Sequence, residues 1–120
     1  MAKTIQKALD ELLGVNGAMC VALVDSSSGM MLGSAGTGLD LDVAAAGNTE
    51  LVRAKLRTIQ SLGMKDSIED ILITLGKQYH IIRPLAAKAG VFLYLVLDKN
   101  KANLALARIK VKEVEPEIQF

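Results

Sequence analysis

Two uninterrupted apolar runs, residues 18–24 and 91–97, stand out in the pattern of hydrophobic and polar positions. A strand with one solvent-facing side alternates apolar and polar residues, so both faces of these segments must be covered. Each run holds seven residues, which is too few for a membrane span and fewer than in most globular helices. Their valine and aromatic content favours strand. The runs therefore predict two central strands of one sheet that lies between helices.

A short amphipathic helix is predicted before the first run. Its apolar residues recur three, four, seven and eight positions apart, at Ile5, Leu9, Leu12 and Leu13. Gly14 follows where such a helix ends. The first strand is expected to begin after Gly17.

A hairpin is predicted after this strand. The turn residues 25–29 (Asp-Ser-Ser-Ser-Gly) separate the first run from a second strand at residues 30–33, and the small residues 33–38 then lead out of it. A strand must place one of Met30 and Met31 on its covered face, so at least one of them is expected in the core.

A long second helix is predicted from about Val43 to Leu62, with Gly63 as its end and Asp40 or Asp42 as its N-terminal cap. Its helical projection gives one wide apolar face with polar residues opposite. The apolar face holds Ala45, Val52, Leu56, Ile59 and Leu62 and widens through Ala44 and Leu51; the polar side holds Glu50, Arg53, Arg57 and Gln60.

A second hairpin and a last helix complete the pattern. Residues 70–75 and 78–85 are predicted as strands around Gly76 and Lys77, a pair suited to a tight turn with Gly at its first central position. Pro84 cannot donate to a ladder, so it belongs near a strand end or at an unpaired position. Residues 98–100 are expected to cap the last helix, and Pro116 lies just past its end. The apolar face of this helix comprises Leu104, Ala107, Val111 and Val114, although residues 109–112 also alternate as a strand would.

Composition excludes several classes of function. The chain of 120 residues predicts one domain over residues 1–120, and 51% apolar against 22% charged residues favours self-association. A net charge of +1 and four aromatic residues give no basis for nucleic-acid binding. Charges interrupt the first thirteen residues, so no signal peptide is predicted and the protein is expected in the cytoplasm without membrane insertion. The lone Cys20 lies in an apolar run and is predicted to be a buried thiol.

Candidate chemical groups are few. His80 has no second His or nearby Cys with metal-ligand spacing, so an ordinary strand histidine is expected. Ser26, Ser27 and Ser28 lack the strand-to-helix elbow of a nucleophilic serine. The glycines in residues 33–38 precede a helix but lack a Gly-Lys-Ser/Thr ending, so the chain is not a P-loop GTPase. No catalytic residue, cofactor or metal is predicted.

In this order of elements the sequence resembles the roadblock/dynein light chain family. The resemblance lies in residues 14–18 (Gly-Val-Asn-Gly-Ala), the turn 25–29, residues 42–46 (Asp-Val-Ala-Ala-Ala) and residues 102–108 (Ala-Asn-Leu-Ala-Leu-Ala-Arg). It implies an α+β fold of the profilin-like layered kind, ordered helix-β-β-helix-β-β-β-helix. The implied five-stranded antiparallel sheet has the order 2-1-5-4-3, with the second helix on one face and the terminal helices on the other.

The resemblance also implies a function. Members of that family typically form dimers through the second helix and third strand, and many bind or regulate Ras-like small GTPases without a catalytic side chain in this domain. The implied dimer interface comprises Ala44, Leu51, Val52, Lys55, Ile59, Ile71 and Ile73. Arg53 and Arg57, one turn apart on the polar side, are the predicted partner-binding residues, with a merely solvated helix face as the alternative.

Two other functions remain open at this point. The chain could be a scaffold subunit of a signalling or motor complex that has no GTPase partner. It could also be a small ligand-sensing or hydrolase domain of similar layered shape, which a deep polar pocket with convergent titratable groups would favour.

Overall fold

A computed structural model describes residues 2–120, and its centre is an antiparallel sheet of five strands in the order β2-β1-β5-β4-β3. The fold class and strand order predicted from the sequence are confirmed. The elements along the chain are α1 (Ile5–Leu13), β1 (Ala18–Asp25), β2 (Met30–Gly36), α2 (Leu41–Ser61), β3 (Ile71–Thr74), β4 (Gln78–Pro84), β5 (Val91–Asp98), α3 (Leu104–Val114) and a 3₁₀ turn (Glu115–Glu117).

The two apolar runs are the neighbouring central strands β1 and β5, with Val21 opposite Leu95 and Ala22 opposite Tyr94. Side chains alternate between the two faces of a strand, so each run supplies two cores. Leu23, Leu93 and Leu95 belong to the core beneath α1 and α3. Val24, Phe92, Tyr94 and Val96 belong to the core beneath α2. Helices on both faces explain why neither strand alternates with polar residues.

Side-chain caps fix where the helices begin. Thr4 accepts from the backbone N–H of Lys7, and Asp40 accepts from that of Val43, so α2 starts at Leu41, two residues earlier than predicted. The predicted cap of α3 was wrong. Asp98 ends β5, and its carboxylate accepts from the N–H of Asn100. Asn103 is the cap, accepting from the N–H of Leu106.

The second strand extends to Gly36, three residues beyond the predicted end. Its small residues let α1 lie close to the sheet. A Cβ at Gly33 would lie 2.8 Å from Cγ2 of Ile5, and a Cβ at Gly36 would lie 2.8 Å from Cδ1 of Leu13 and would overlap the carbonyl oxygen of Met19 in β1. The composition that indicated an exit loop is therefore a packing requirement of a strand.

The β3–β4 hairpin is shorter than predicted, since β3 comprises only Ile71–Thr74. The chain reverses at Gly76 and Lys77 as expected, but Gly76 is not among the glycines with positive φ, so the turn is not of the predicted primed type. Pro84 lies at the end of β4, beyond the last residue that pairs with β3. Residues 109–112 are helical, because Val111 and Val114 enter the core at helical spacing.

Candidate interaction surface

Only the first half of α2 packs tightly on the sheet. Its buried residues are Ala45, Thr49 and Val52, and no residue of α2 after Val52 is buried. Leu51 is 38%, Leu56 45% and Leu62, the C-cap residue, 67% exposed. The apolar side of the helix is therefore wider and longer than one sheet covers.

The predicted interface residues of α2 occupy different depths. Val52 is 2% exposed and belongs to the core of this chain, whereas Ala44 and Ile59 are half-buried. Leu51 and Lys55 are exposed. Together with Leu62, the residues that reach the surface form an apolar stripe along α2, which we call the α2 stripe: Ala44, Leu51, Ile59 and Leu62.

The free edge of β3 lies on the side of the sheet farthest from β2. Ile71 and Ile73 are half-buried against the α2 core, and the β3–β4 register is regular over all four pairs. At the opposite edge, the β1–β2 register shifts between Leu23 and Val24, and Leu32 is the extra residue of this bulge. Bulges interrupt the backbone pattern that another strand would pair with, so β3 offers the more regular edge.

Two ion pairs hold the approach to β3 in place. Arg108 of α3 donates from Nε and Nη2 to the two carboxylate oxygens of Asp70, at 2.9 and 3.0 Å. Arg83 of β4 pairs through Nε with the buried carboxylate of Glu115, which also accepts from the backbone N–H of Ala86 at 3.1 Å. The two-point contact of Arg108 with Asp70 fixes orientation, so the residue that leads into β3 is tied to α3.

Arg53 and Arg57 are both exposed on α2, as predicted, but they differ in their contacts. Arg53 donates from Nη2 to the backbone carbonyl of Ser27 at 2.7 Å and thus ties α2 to the β1–β2 turn. The guanidinium of Arg57 makes no hydrogen bond or ion pair with any side chain or backbone group of residues 2–120. Arg57 is consequently a free cation, whereas Arg53 already has a structural contact.

A chain of hydrogen bonds that the sequence did not indicate crosses the α2 side of the sheet. The hydroxyl of Tyr94 lies 2.9 Å from Nδ1 of His80. Nε2 of His80 lies 2.9 Å from Oε1 of Gln78. An amide oxygen only accepts, so Nε2 carries the proton and Nδ1 accepts from Tyr94. Burial lowers the pKa of His80 and raises that of Tyr94, which favours the neutral form of both groups.

No Ser–His pair is formed. Both ring nitrogens of His80 are used by Tyr94 and Gln78. Ser27 and Ser28 donate from their hydroxyls to the carboxylate of Asp25, and the Ser27 hydrogen bonds lower the pKa of that carboxyl. These serines form the tight turn that their sequence predicted.

The part of the chain that the structure describes holds no group of three or more His, Cys, Asp or Glu residues that could bind a metal ion. Cys20 is a buried free thiol, and burial raises its pKa. Among helices within residues 2–120, none is both long and apolar enough to cross a lipid bilayer.

Solved structures share this architecture. MglB of Myxococcus xanthus superposes with a TM-score of 0.80 at 22% identity, covering 92% of this chain and 88% of that one. The Roadblock/LC7 domain from Streptomyces avermitilis gives 0.81 at 13% identity, covering 95% and 93%. An MglB with a tetrameric arrangement gives 0.78 at 21% identity, covering 92% and 81%. The chain has the roadblock-type fold, so the resemblance is confirmed at the level of fold. No protein-family model and no curated protein matches the sequence.

Proposed function

We propose that this protein is a non-catalytic interaction module, which forms a homodimer through α2 and β3 and binds a Ras-like small GTPase beside α2. Two observations carry the dimer: the exposed α2 stripe, and the free, regular edge of β3, whose Ile71 and Ile73 pack on the same core as α2. Each square ångström of apolar surface that a contact removes from water stabilises the contact by about 25 cal/mol. A second copy related by two-fold symmetry would cover the stripe and pair β3 with its own counterpart.

Two further points support self-association. The α2 stripe contains no charged residue, and the neighbouring Lys55 has a long, exposed side chain that can reach solvent at the rim. One structure of the same fold, an MglB, is described as tetrameric. Both fit a chain in which more than half of the residues are apolar.

The test of the dimer is Leu51→Glu. In the isolated chain this side chain is already partly exposed, so folding should persist, but the dimer would bury an unpaired carboxylate at a cost of several kcal/mol. We expect the dissociation constant to rise by about a hundredfold or more, measured by sedimentation equilibrium. Leu32→Glu, the same change on the bulged edge, is the matched control and should leave the mass unchanged. A monomeric parent protein, or a dimer that Leu51→Glu does not weaken, would refute this interface.

The GTPase site is proposed on the polar side of α2, at Arg53 and Arg57. The support is the free guanidinium of Arg57, which is the kind of exposed cation that accelerates association with an acidic surface. Arg53 lies one turn away and contributes positive charge while it remains bound to the turn. The family resemblance provides the class of partner.

The test uses a Ras-like GTPase encoded beside this chain or recovered with it, immobilised in its GDP and GTP-analogue states. Arg57→Glu should slow association by roughly tenfold, with a smaller effect at high salt. Lys7→Glu on α1 is the matched control, because it changes the net charge by the same two units at a position away from the proposed site. Arg57→Glu has no internal contact to lose, so its melting temperature should equal that of the parent. Unchanged association would move the site away from these arginines.

A scaffold subunit without a GTPase is the second candidate, and it shares the proposed dimer. It would be favoured if no Ras-like GTPase binds while the Leu51→Glu result holds. A hydrolase or ligand-sensing domain has less support, because His80 is engaged by Tyr94 and Gln78 rather than aimed at a nucleophile.

A further inference from the structure

The outer face of α3 carries an apolar ridge that nothing within residues 2–120 covers. Leu106 is 58% and Ile109 52% exposed, although Ala107 and Val111 of the same helix are buried. A hollow of about 440 Å³ lies on one side of the ridge, between Leu106, the end of α1 and the loop at Asn16. A second hollow of about 290 Å³ lies on the other side, beside Ile109.

We propose that α3 is a second self-association surface, which binds α3 of another copy in an antiparallel pair. Ridges of one helix pack into the hollows of another, and this face has both. In an antiparallel pair with two-fold symmetry, Leu106 of one copy lies against Ile109 of the other, and each ridge enters the hollow beside its counterpart. The contact is isologous and closes on itself.

The charges of this face are self-complementary. Glu113 projects from the last turn of α3 on the same side as Leu106 and Ile109, and Lys101 lies just before the first turn. The antiparallel arrangement places Glu113 near Lys101 of the other copy. It also sets the two helix dipoles side by side in opposite directions, which is favourable. Lys101 has no ion pair within residues 2–120, and Glu113 has only a long one, 3.9 Å from Lys110.

The remaining cations of α3 do not oppose the pairing. Arg108 is bound by Asp70, Lys110 by Glu11 and Lys112 by Glu69. These neutralised groups give the face little net charge, which favours a second copy over a strongly charged partner.

The α3 contact lies on the other side of the sheet from the α2 stripe, because α3 and α2 cover opposite cores. If the proposed dimer through α2 and β3 also forms, and its two-fold axis crosses that of the α3 contact at right angles, the product is a closed tetramer. The tetramer rests on the proposed function, but the α3 contact does not.

Sedimentation velocity over a wide concentration range separates the two contacts. We expect the parent to reach tetramer, whereas Leu106→Glu and Leu51→Glu each stop at dimer and the double variant stays monomeric. Met30→Glu, the same kind of change at the β2 edge, is the control and should reach tetramer. If Leu106→Glu has the mass of the parent at every concentration, the α3 contact is refuted whatever Leu51→Glu does. If instead Leu106→Glu gives monomer and Leu51→Glu leaves a dimer, α3 is supported and the α2–β3 dimer is refuted.

Charge reversal tests the orientation without touching the ridge. Lys101→Glu and Glu113→Lys should each raise the dissociation constant of the α3 contact by about two- to fivefold, and the double variant should restore it. Rescue by the double variant requires the two residues to meet across the contact. Single effects that simply add in the double variant would exclude the antiparallel arrangement.

Discussion

His80 shows how a single residue differs from its sequence context. It occupies a strand position opposite Ile73 and Val96, so the expectation of an ordinary strand histidine is correct in location. Its two ring nitrogens, however, are the centre of a directed hydrogen-bond chain from Tyr94 to Gln78. Because Nδ1 accepts, adding a proton there would reverse the hydrogen bond from Tyr94.

This arrangement predicts a loss of stability in mild acid. Burial lowers the pKa of folded His80 below its ordinary value of 6.5, so the unfolded chain takes up a proton first as the pH falls. The contribution of neutral His80 to stability is complete above about pH 6.5, and it is lost as the pH falls from there through the pKa of the folded state. Between about pH 7.5 and about pH 5.5, the free energy of unfolding measured in urea should fall more for the parent than for His80→Gln.

Carboxyl groups act in a separate range. Hydrogen bonds, from Lys3 above all, lower the pKa of Glu11 below 4.5, and that from Lys112 does the same for Glu69. Their contributions are present above the unfolded value and decline at lower pH. If the free energy of unfolding falls equally for the parent and His80→Gln between about pH 7.5 and 5.5, His80 is not the cause of the acid sensitivity.

Gly36 is a second residue whose role depends on geometry. Its φ is +85°, and a Cβ would lie 2.3 Å from the carbonyl oxygen of Met19. Gly36→Ala should therefore lower the free energy of unfolding by about 2 kcal/mol or more. Gly47, in the exposed middle of α2 with nothing within 4 Å, is the matched control. Gly47→Ala should raise the free energy of unfolding by about 0.5–1 kcal/mol; the same sign for both variants in urea unfolding would contradict this explanation.

At the scale of elements, the 3₁₀ turn after α3 secures the β4–β5 loop. Glu115 is buried and accepts from both Arg83 and the backbone N–H of Ala86. Glu115→Ala would leave the largely buried Arg83 without its carboxylate partner, and we expect a loss of about 3–5 kcal/mol in the free energy of unfolding. Glu50→Ala, a change of the same kind on the exposed polar side of α2, should alter it by less than about 0.5 kcal/mol. Chemical denaturation of the two variants measures the difference, and a similar small cost for both would mean that the buried pair does not hold the loop.

The sequence was sufficient for the elements whose cause is local. Continuous apolar runs predicted β1 and β5, and helical spacing placed Ala107 and Val111 on the buried side of α3. It failed where the cause is tertiary. Residues 33–38 have the composition of a loop, and only the packing of α1 and Met19 against Gly36 explains why this glycine lies in a strand. The end of burial at Val52 depends on the width of the sheet. The Tyr94–His80 contact requires the β4–β5 register, which no local pattern contains.

At the scale of the whole molecule, the space beside the glycine-rich stretch is filled. Ile5 packs against Gly33, and the Met19 backbone against Gly36, so the backbone N–H groups cannot cradle a phosphate as a P-loop does. We expect purified protein to bind neither GTP, GDP nor Zn²⁺ on its own. Isothermal titration calorimetry provides the measurement, with a P-loop GTPase as the positive control for the nucleotides. Stoichiometric binding at micromolar concentration would contradict the prediction.

The bulge at Leu32 would also limit growth of the proposed dimer through its strand edges. A sheet that adds strands at both edges can grow without limit, as fibres do, whereas a two-fold partner joined at β3 would leave a β2 strand at each outer end. Both of those ends would carry the irregular register between Leu23 and Val24. The proposed ten-stranded sheet would thus end in an irregular β2 strand on both sides. The protein could use its β3 edge to form a dimer without polymerising through β2.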